Sequence, residues 1–214
     1  MSYTIRAEGI GEYIEKKSVF TGRIRRVTSE EEARAFIDLI KKQERGARHN
    51  VFAYIIGDAG TTIRYSDDGE PQGTGGQPVL HVLTQHELTD VCVVVTRFFG
   101  GVLLGAPGLT RAYSKAAAEA VAKVSRWEIR AGAVFSVELP YDLHARLKSF
   151  FDEVQAISVE YGQAVCVTLI TTKEAVDEVK ADLIDLSQGQ AAFSEIRLIN
   201  CFVREDGHLE EILE

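Results

Sequence analysis

The sequence predicts an α+β protein of two domains, residues 1–130 and 131–214. Three observations carry that prediction: a β-branched run passing through a glycine-rich turn into a helix at 91–115, a β-α-β-β-α-β element order after residue 131, and a charge balance that changes sign between the two parts. Residues 1–130 hold 18 Lys+Arg against 16 Asp+Glu, a balance of +2, whereas residues 131–214 hold 6 against 16, a balance of −10. The acidic part repels polyanions through its long-range field, so any nucleic-acid contact is assigned to the first part. At 214 residues and 45% hydrophobic content, the chain is long enough for one large core or two small ones.

In the first domain, short strands are expected at Tyr3–Ala7 and Arg23–Val27. Thr28-Ser29-Glu30-Glu31-Glu32 then opens a helix. Either hydroxyl residue has a glutamate three positions on, a capping box, and Ala33, Phe36, Ile37 and Ile40 follow on one face. Strands Val51–Ile56 and Thr62–Tyr65 flank the turn Gly57-Asp58-Ala59-Gly60, and Pro78–Leu88 reads as a short helix. Val91, Val93, Val94 and Val95 form the near-continuous run of a strand covered on both faces. From Leu109, the apolar residues Ala112, Tyr113, Ala116, Ala117, Ala120, Val121 and Val124 keep helical spacing.

In the second domain, Phe135, Val137 and Leu139 alternate with Ser136 and Glu138, as in a half-buried strand. Leu143, Leu147, Phe150 and Phe151 mark a helix, and strands Val154–Tyr161 and Ala164–Thr171 flank Gly162-Gln163 as a two-residue hairpin. Val176, Val179, Leu183 and Leu186 mark a second helix, and a strand at Phe193–Val203 completes the ferredoxin-like order. The boundary falls near Arg126–Gly132, where no Pro-rich or Gly/Ser linker marks it.

Several function classes find no support. No run of about 18 apolar residues suits a membrane span, and the N-terminus lacks an apolar signal segment, so a cytoplasmic location without membrane contact is expected. Cys92, Cys166 and Cys201 stand singly in apolar runs, as buried thiols rather than a zinc or redox motif. His81, His86, His144 and His208 lack ligand spacing, and no nucleophile elbow is present. No metal or cofactor is expected, and an enzyme is the lesser reading.

Three constellations could carry chemistry. Gly100, Gly101, Gly105 and Gly108 follow the buried strand and precede the helix, an arrangement that presents backbone amides to an anion or serves as a plain packing device. Arg97 enters that turn and Arg111 leaves it. In the first helical turn Arg111 opposes the helix dipole by about 0.3–1 kcal/mol, which a bound phosphate would offset; the other readings are exposure to solvent or pairing with Asp90. Arg48, His49 and Asn50 suit phosphate or base-edge contacts, or cap a helix end. Asp67, Asp68 and Glu70, followed by Gly73-Thr74-Gly75-Gly76, suit either a hard cation or an exposed turn, and two glycine clusters suggest a shared groove.

The runs ARHNVFAYIIG (47–57), SDDGEPQGTGGQPVL (66–80) and VVVTRFFGGVLLGAPGLTRAYSKAA (93–117), with Ser18-Val19-Phe20 before them, closely resemble the IMPACT family, which includes the bacterial YigZ proteins. The acidic second half is similar to the C-terminal domain of the bacterial branch. The resemblance implies a first domain with the βαβ fold of a small-subunit ribosomal protein domain and of domain IV of elongation factor G, and a second like another domain of that factor. Eukaryotic relatives are regarded as translational regulators that restrain the amino-acid-starvation kinase by competing for its co-activator, a pathway that bacteria lack. The chain departs from the family at Leu103, where lysine is usual, and at Pro107, where glycine is usual; the first change removes a charge and the second an amide donor.

Three readings follow. The first is a non-enzymatic module binding RNA or the ribosome through the Arg97, Arg111 and glycine-turn face. The second is a regulator that docks a translation-associated protein without RNA. The third is an enzyme on a phosphorylated substrate, with magnesium held by Asp67, Asp68 and Glu70. The sequence leaves the oligomeric state open.

Overall fold

A computed structural model describes residues 2–57 and 60–212, so Asp58 and Ala59 of the expected turn lie outside the described residues. The chain divides into two compact units, Met1–Glu128 and Ile129–Glu214, each combining helices with a sheet. In chain order the first contains β1 (Ser2–Ile5), β2 (Gly9–Glu15), β3 (Ser18–Arg26), α1 (Glu30–Gln43), β4 (His49–Ile56), β5 (Thr62–Ser66), α2 (Gly76–Gln85), β6 (Val91–Phe98) and α3 (Gly105–Val121). Its sheet runs β2-β3-β6-β4-β5 with every neighbouring pair antiparallel. Because β3 and β4 both oppose β6, they are parallel to each other with β6 inserted between them, so β3-α1-β4 is a split βαβ unit.

The valine run of β6 is buried on both faces, as its sequence requires. Val91, Val93 and Val95 enter a core with α2 and α3, while Cys92 and Val94 enter another with Phe36, Ile37 and Ile40 of α1. The α1 start forms as the sequence predicts: Ser29 Oγ accepts from Glu32 N at 3.2 Å, and the Glu32 carboxylate accepts from Thr28 N at 2.7 Å.

The sequence reading missed β2, because its buried positions are glycines. Gly9 and Gly11 face α3, whereas Ile10 and Ile14 are 60% and 58% exposed, inverting the usual pattern. A Cβ at Gly11 would fall 2.4 Å from Ala120 N, and one at Gly22 2.3 Å from Ala116 O, so α3 lies almost directly on the strand backbones. Lys16 and Lys17 turn β2 into β3 with φ of 46° and 68°. Two left-handed residues are what a type I′ hairpin needs, and with lysine there the turn carries strain of about 1–3 kcal/mol per residue.

The second unit continues with β7 (Arg126–Leu139), in which the division between units falls, then α4 (Tyr141–Arg146), α5 (Lys148–Glu153), β8 (Ala156–Tyr161), β9 (Val165–Thr172), α6 (Val176–Leu186), β10 (Ala192–Phe193), β11 (Arg197–Val203) and β12 (Leu209–Glu211). The strand path is β12-β11-β7-β9-β8, with β10 also on β7, which retains the β-α-β-β-α-β order. Several details differ from the sequence reading, among them the added strand β12. The first helix breaks at Leu147, the last strand breaks after Phe193, and the β8–β9 loop spans residues 162–164 rather than two. Phe135, Val137, Leu139, Val165, Val167 and Leu169 pack under the helices.

Asp67 ties down the second glycine cluster. Its carboxylate accepts from the amides of Gly73 at 2.8 Å and of Gly75 and Gly76 at 2.9 Å, so it closes the N-terminus of α2, which no cap side chain reaches from Gly75 itself. Burial opposes the charge, but the three amides outweigh it and hold Asp67 below the usual carboxylate range. The stabilisation is therefore complete above the unfolded pKa of about 3.9 and is lost as pH falls through the lower folded value. Asp67→Asn turns an amide donor toward at least one backbone N–H and is expected to cost about 1–3 kcal/mol near neutral pH. In urea titrations that deficit against the parent chain should shrink steadily once pH drops below about 4.

Candidate functional site

The register of the first sheet brings together the parts of a site at one end of β4 and β6. His49 and Arg97 face each other across the two strands. Beyond Arg97 the chain turns through residues 99–104 before α3 begins, and from the loop after β5 Glu70 reaches the same place. Arg48, His49, Glu70, Arg97, Phe99 and Leu103 line a cavity of about 290 Å³.

A buried ion pair forms the cavity floor. Arg97 is only 7% exposed, and its Nη1 donates to Glu70 Oε1 at 2.6 Å; Tyr113 of α3 donates its hydroxyl to the same oxygen at 2.7 Å. Burial, and then the Glu70 charge, push the Tyr113 phenol far up, so it remains a donor. The guanidinium lies 5.5 Å from the ring centres of both Phe20 and Phe99, and Phe20 meets Tyr113 edge to face at 5.1 Å. Arg97 Nε is buried without a hydrogen-bond partner among the described residues. The loop that delivers Glu70 is pinned by Asp68, whose carboxylate accepts from Asn50 N at 2.7 Å and Lys41 Nζ at 2.8 Å. His49 Nδ1 lies 2.8 Å from the Asp68 carbonyl, which only accepts, so Nδ1 is the donor in that bond.

Several sequence expectations are corrected by this geometry. Arg97 is not an open phosphate ligand, because leaving a guanidinium buried without a counter-charge costs more than pairing it with Glu70. Gly108 does not belong to the turn, because α3 begins at Gly105 and Pro107 needs no amide partner in a first turn; Gly105 itself has the left-handed φ, 68°, expected of a turn glycine. Arg111 therefore lies beyond the first turn and is exposed. Gly100 is a packing glycine, its amide donating to Ser18 Oγ at 3.0 Å and its missing Cβ making room for Lys17, whose carbonyl carbon would be 2.1 Å away. Gly101, at φ 84°, has the left-handed turn conformation expected of it. Asn50 is buried, its Oδ1 accepting from Thr96 at 2.8 Å. Gly73 and Thr74 serve the loop itself: the Gly73 amide goes to Asp67, and Thr74 Oγ1 donates to the Pro71 carbonyl at 2.6 Å. Asp67, Asp68 and Glu70 each have a separate partner, and no group of three metal-ligating side chains gathers among the described residues. The shared groove between the two glycine clusters is thus not formed by their amides.

Two contributors escaped the sequence reading. The hairpin lysines Lys16 and Lys17 stand beside the loop because Gly100 packs on their backbone. The loop also exposes Phe99 to 53%, Leu103 to 84% and, less fully, Val102, with Phe98 exposed at the end of β6 beside it.

Glu70→Ala should destabilise the chain by about 3–5 kcal/mol, because Arg97 would keep its charge in a buried place with no partner. Tyr113→Phe removes one hydrogen bond to the carboxylate and should cost about 1.5–3 kcal/mol. Urea denaturation of both variants measures the difference; equal losses would contradict the ranking.

The model of the Impact N-terminal domain matches residues 16–121, which contain the cavity, and that of a Domain of unknown function (DUF1949) matches residues 137–190. The IMPACT family member YvyE of Bacillus subtilis is 33% identical over 195 residues, 90% of each chain. A solved structure described as a hypothetical protein aligns with a TM-score of 0.60 and 26% identity over 92% of this chain and 97% of its own. That of Yih1, described as a two-domain translational regulator, aligns at 30% identity over 56% of this chain and 48% of its own, with a TM-score of 0.38. By the match to the N-terminal model and the identity to YvyE over most of both chains, the chain belongs to the IMPACT family.

Proposed function

We propose that the chain is a non-enzymatic, translation-associated binding module whose first unit holds single-stranded RNA on the surface around the cavity. One observation carries this reading: an exposed aromatic, Phe99, stands at a cavity edged by Arg48, with exposed Lys16 and Lys17 beside it. Single-strand binders combine that stacking surface with a basic track, and stacking tolerates any sequence. The interface is weakly basic, in line with the first part's balance of +2, so its affinity is modest and depends on salt. The translational context comes from the role attributed to eukaryotic relatives. Within this proposal the first unit is read as the fold of elongation factor G domain IV and the second as a ferredoxin-like domain that repels polyanions.

A second reading is favoured by Leu103. An aliphatic side chain 84% exposed, next to Val102, is a protein-docking feature rather than a stacking one. Among the described residues no helix is long and apolar enough to cross a membrane.

Filter binding of the full chain to total RNA at two salt concentrations tests the first reading. Lys16→Asn with Lys17→Gly installs the preferred residues of a type I′ turn while removing two charges, so the melting temperature should hold or rise. The salt slope for single-stranded RNA should fall by about 1.4, and Phe99→Ala should weaken binding at every salt concentration. No retention at low salt, or retention unchanged by these variants, would sink the RNA reading. A protein captured from lysate after nuclease treatment, and lost with Leu103→Glu, would favour the second.

A further inference from the structure

We infer that the cavity is a nucleobase pocket selecting bases that present a carbonyl beside an N–H, guanine or uracil, over adenine and cytosine; the inference rests on the RNA reading above. Its basis is the pairing of Arg97 with Glu70. The ion pair uses one nitrogen and one oxygen, Nη1 and Oε1, and Oε1 also accepts from Tyr113. Arg97 Nη2 and Glu70 Oε2 have no hydrogen-bond partner among the described residues, and both side chains line the cavity.

A buried carboxylate at the floor disfavours a phosphate there, because an anion approaching Arg97 would meet the charge that already neutralises it. A base edge is neutral and can answer both groups. The carbonyl oxygen of guanine (O6) or uracil (O4) accepts from the guanidinium, while the adjacent ring N–H donates to the carboxylate. With the sugar-phosphate held on the Arg48 side, adenine and cytosine present the reverse order, an amino donor beside a ring-nitrogen acceptor, and could answer both groups only with the base turned over and the phosphate carried away from Arg48. Phe99 supplies a ring wall and Leu103 an apolar one, and exposed Arg48 stands at the rim for the attached phosphate. At about 290 Å³ the cavity lies at the small end of ligand pockets, about 300–1,000 Å³, which suits one base.

Titration of the full chain with GMP, UMP, AMP and CMP, followed by saturation-transfer NMR, provides the test. GMP and UMP should bind about 10-fold or more tighter than AMP and CMP. Glu70→Gln should reduce that preference to less than about 3-fold, with circular dichroism confirming the fold. Should Glu70→Gln not fold, Phe99→Ala on the exposed loop should weaken all four nucleotides by about 5-fold or more and preserve their ranking. Equal affinities, a preference for AMP and CMP, or no saturable binding at millimolar concentration would overturn the inference. Equal affinities alongside salt-sensitive retention of total RNA would overturn the pocket and spare the RNA reading. A GMP and UMP preference without RNA retention would support the pocket and remove the RNA reading.

Discussion

Arg97 at the end of the central strand imposes a constraint that the first unit satisfies by long-range means. A guanidinium placed there is buried by the chain around it, and burial without a counter-charge is far costlier than any local preference of the loops. The loop after β5 therefore delivers Glu70, and α3 delivers Tyr113, to the same carboxylate oxygen. Three segments distant in sequence converge on one oxygen, and the cavity is the space they leave beneath Phe99 and Leu103. An ion pair of this kind adds little net stability over a well-packed apolar triad, but it sets where each segment must sit.

The two glycine clusters illustrate how one residue type serves different physical ends. At Gly73, Gly75 and Gly76 the backbone amides are taken by Asp67, so the anion that this turn recruits is the chain's own. At Gly100 the absent side chain admits the β2–β3 hairpin, and at Gly9, Gly11 and Gly22 it admits α3. Gly101 and Gly105, both left-handed and exposed, keep the geometry of a turn that meets solvent. The second unit contributes the opposite electrostatics, with β8 exposed along much of its length.

Much of the architecture was legible from residue patterns. The capping box before α1, the doubly buried valines of β6, the helical spacing of α3 and the element order of the second half all follow from local physics: hydrogen bonds between near neighbours and the periodicity of apolar side chains. Strand β2 was not legible, because its inward positions carry no side chains and its outward ones are isoleucines. Likewise the Lys16–Lys17 turn lacks the Asn-Gly signal that its backbone conformation normally demands.

For the candidate site the division is sharper. The sequence by itself determined which segments to consider: Arg48 and His49, the Asp67–Thr74 loop, and the stretch from Arg97 into α3 were all singled out by charge, glycine content and position. Only the tertiary structure decided what each residue does there. Whether Arg97 meets a ligand or Glu70, and whether Gly100 faces an anion or packs against the β2–β3 hairpin, depend on partners remote in sequence. Those partners are chosen by the cost of burying an unpaired charge or amide, and the sequence cannot reveal that cost until folding has settled which groups lose their water.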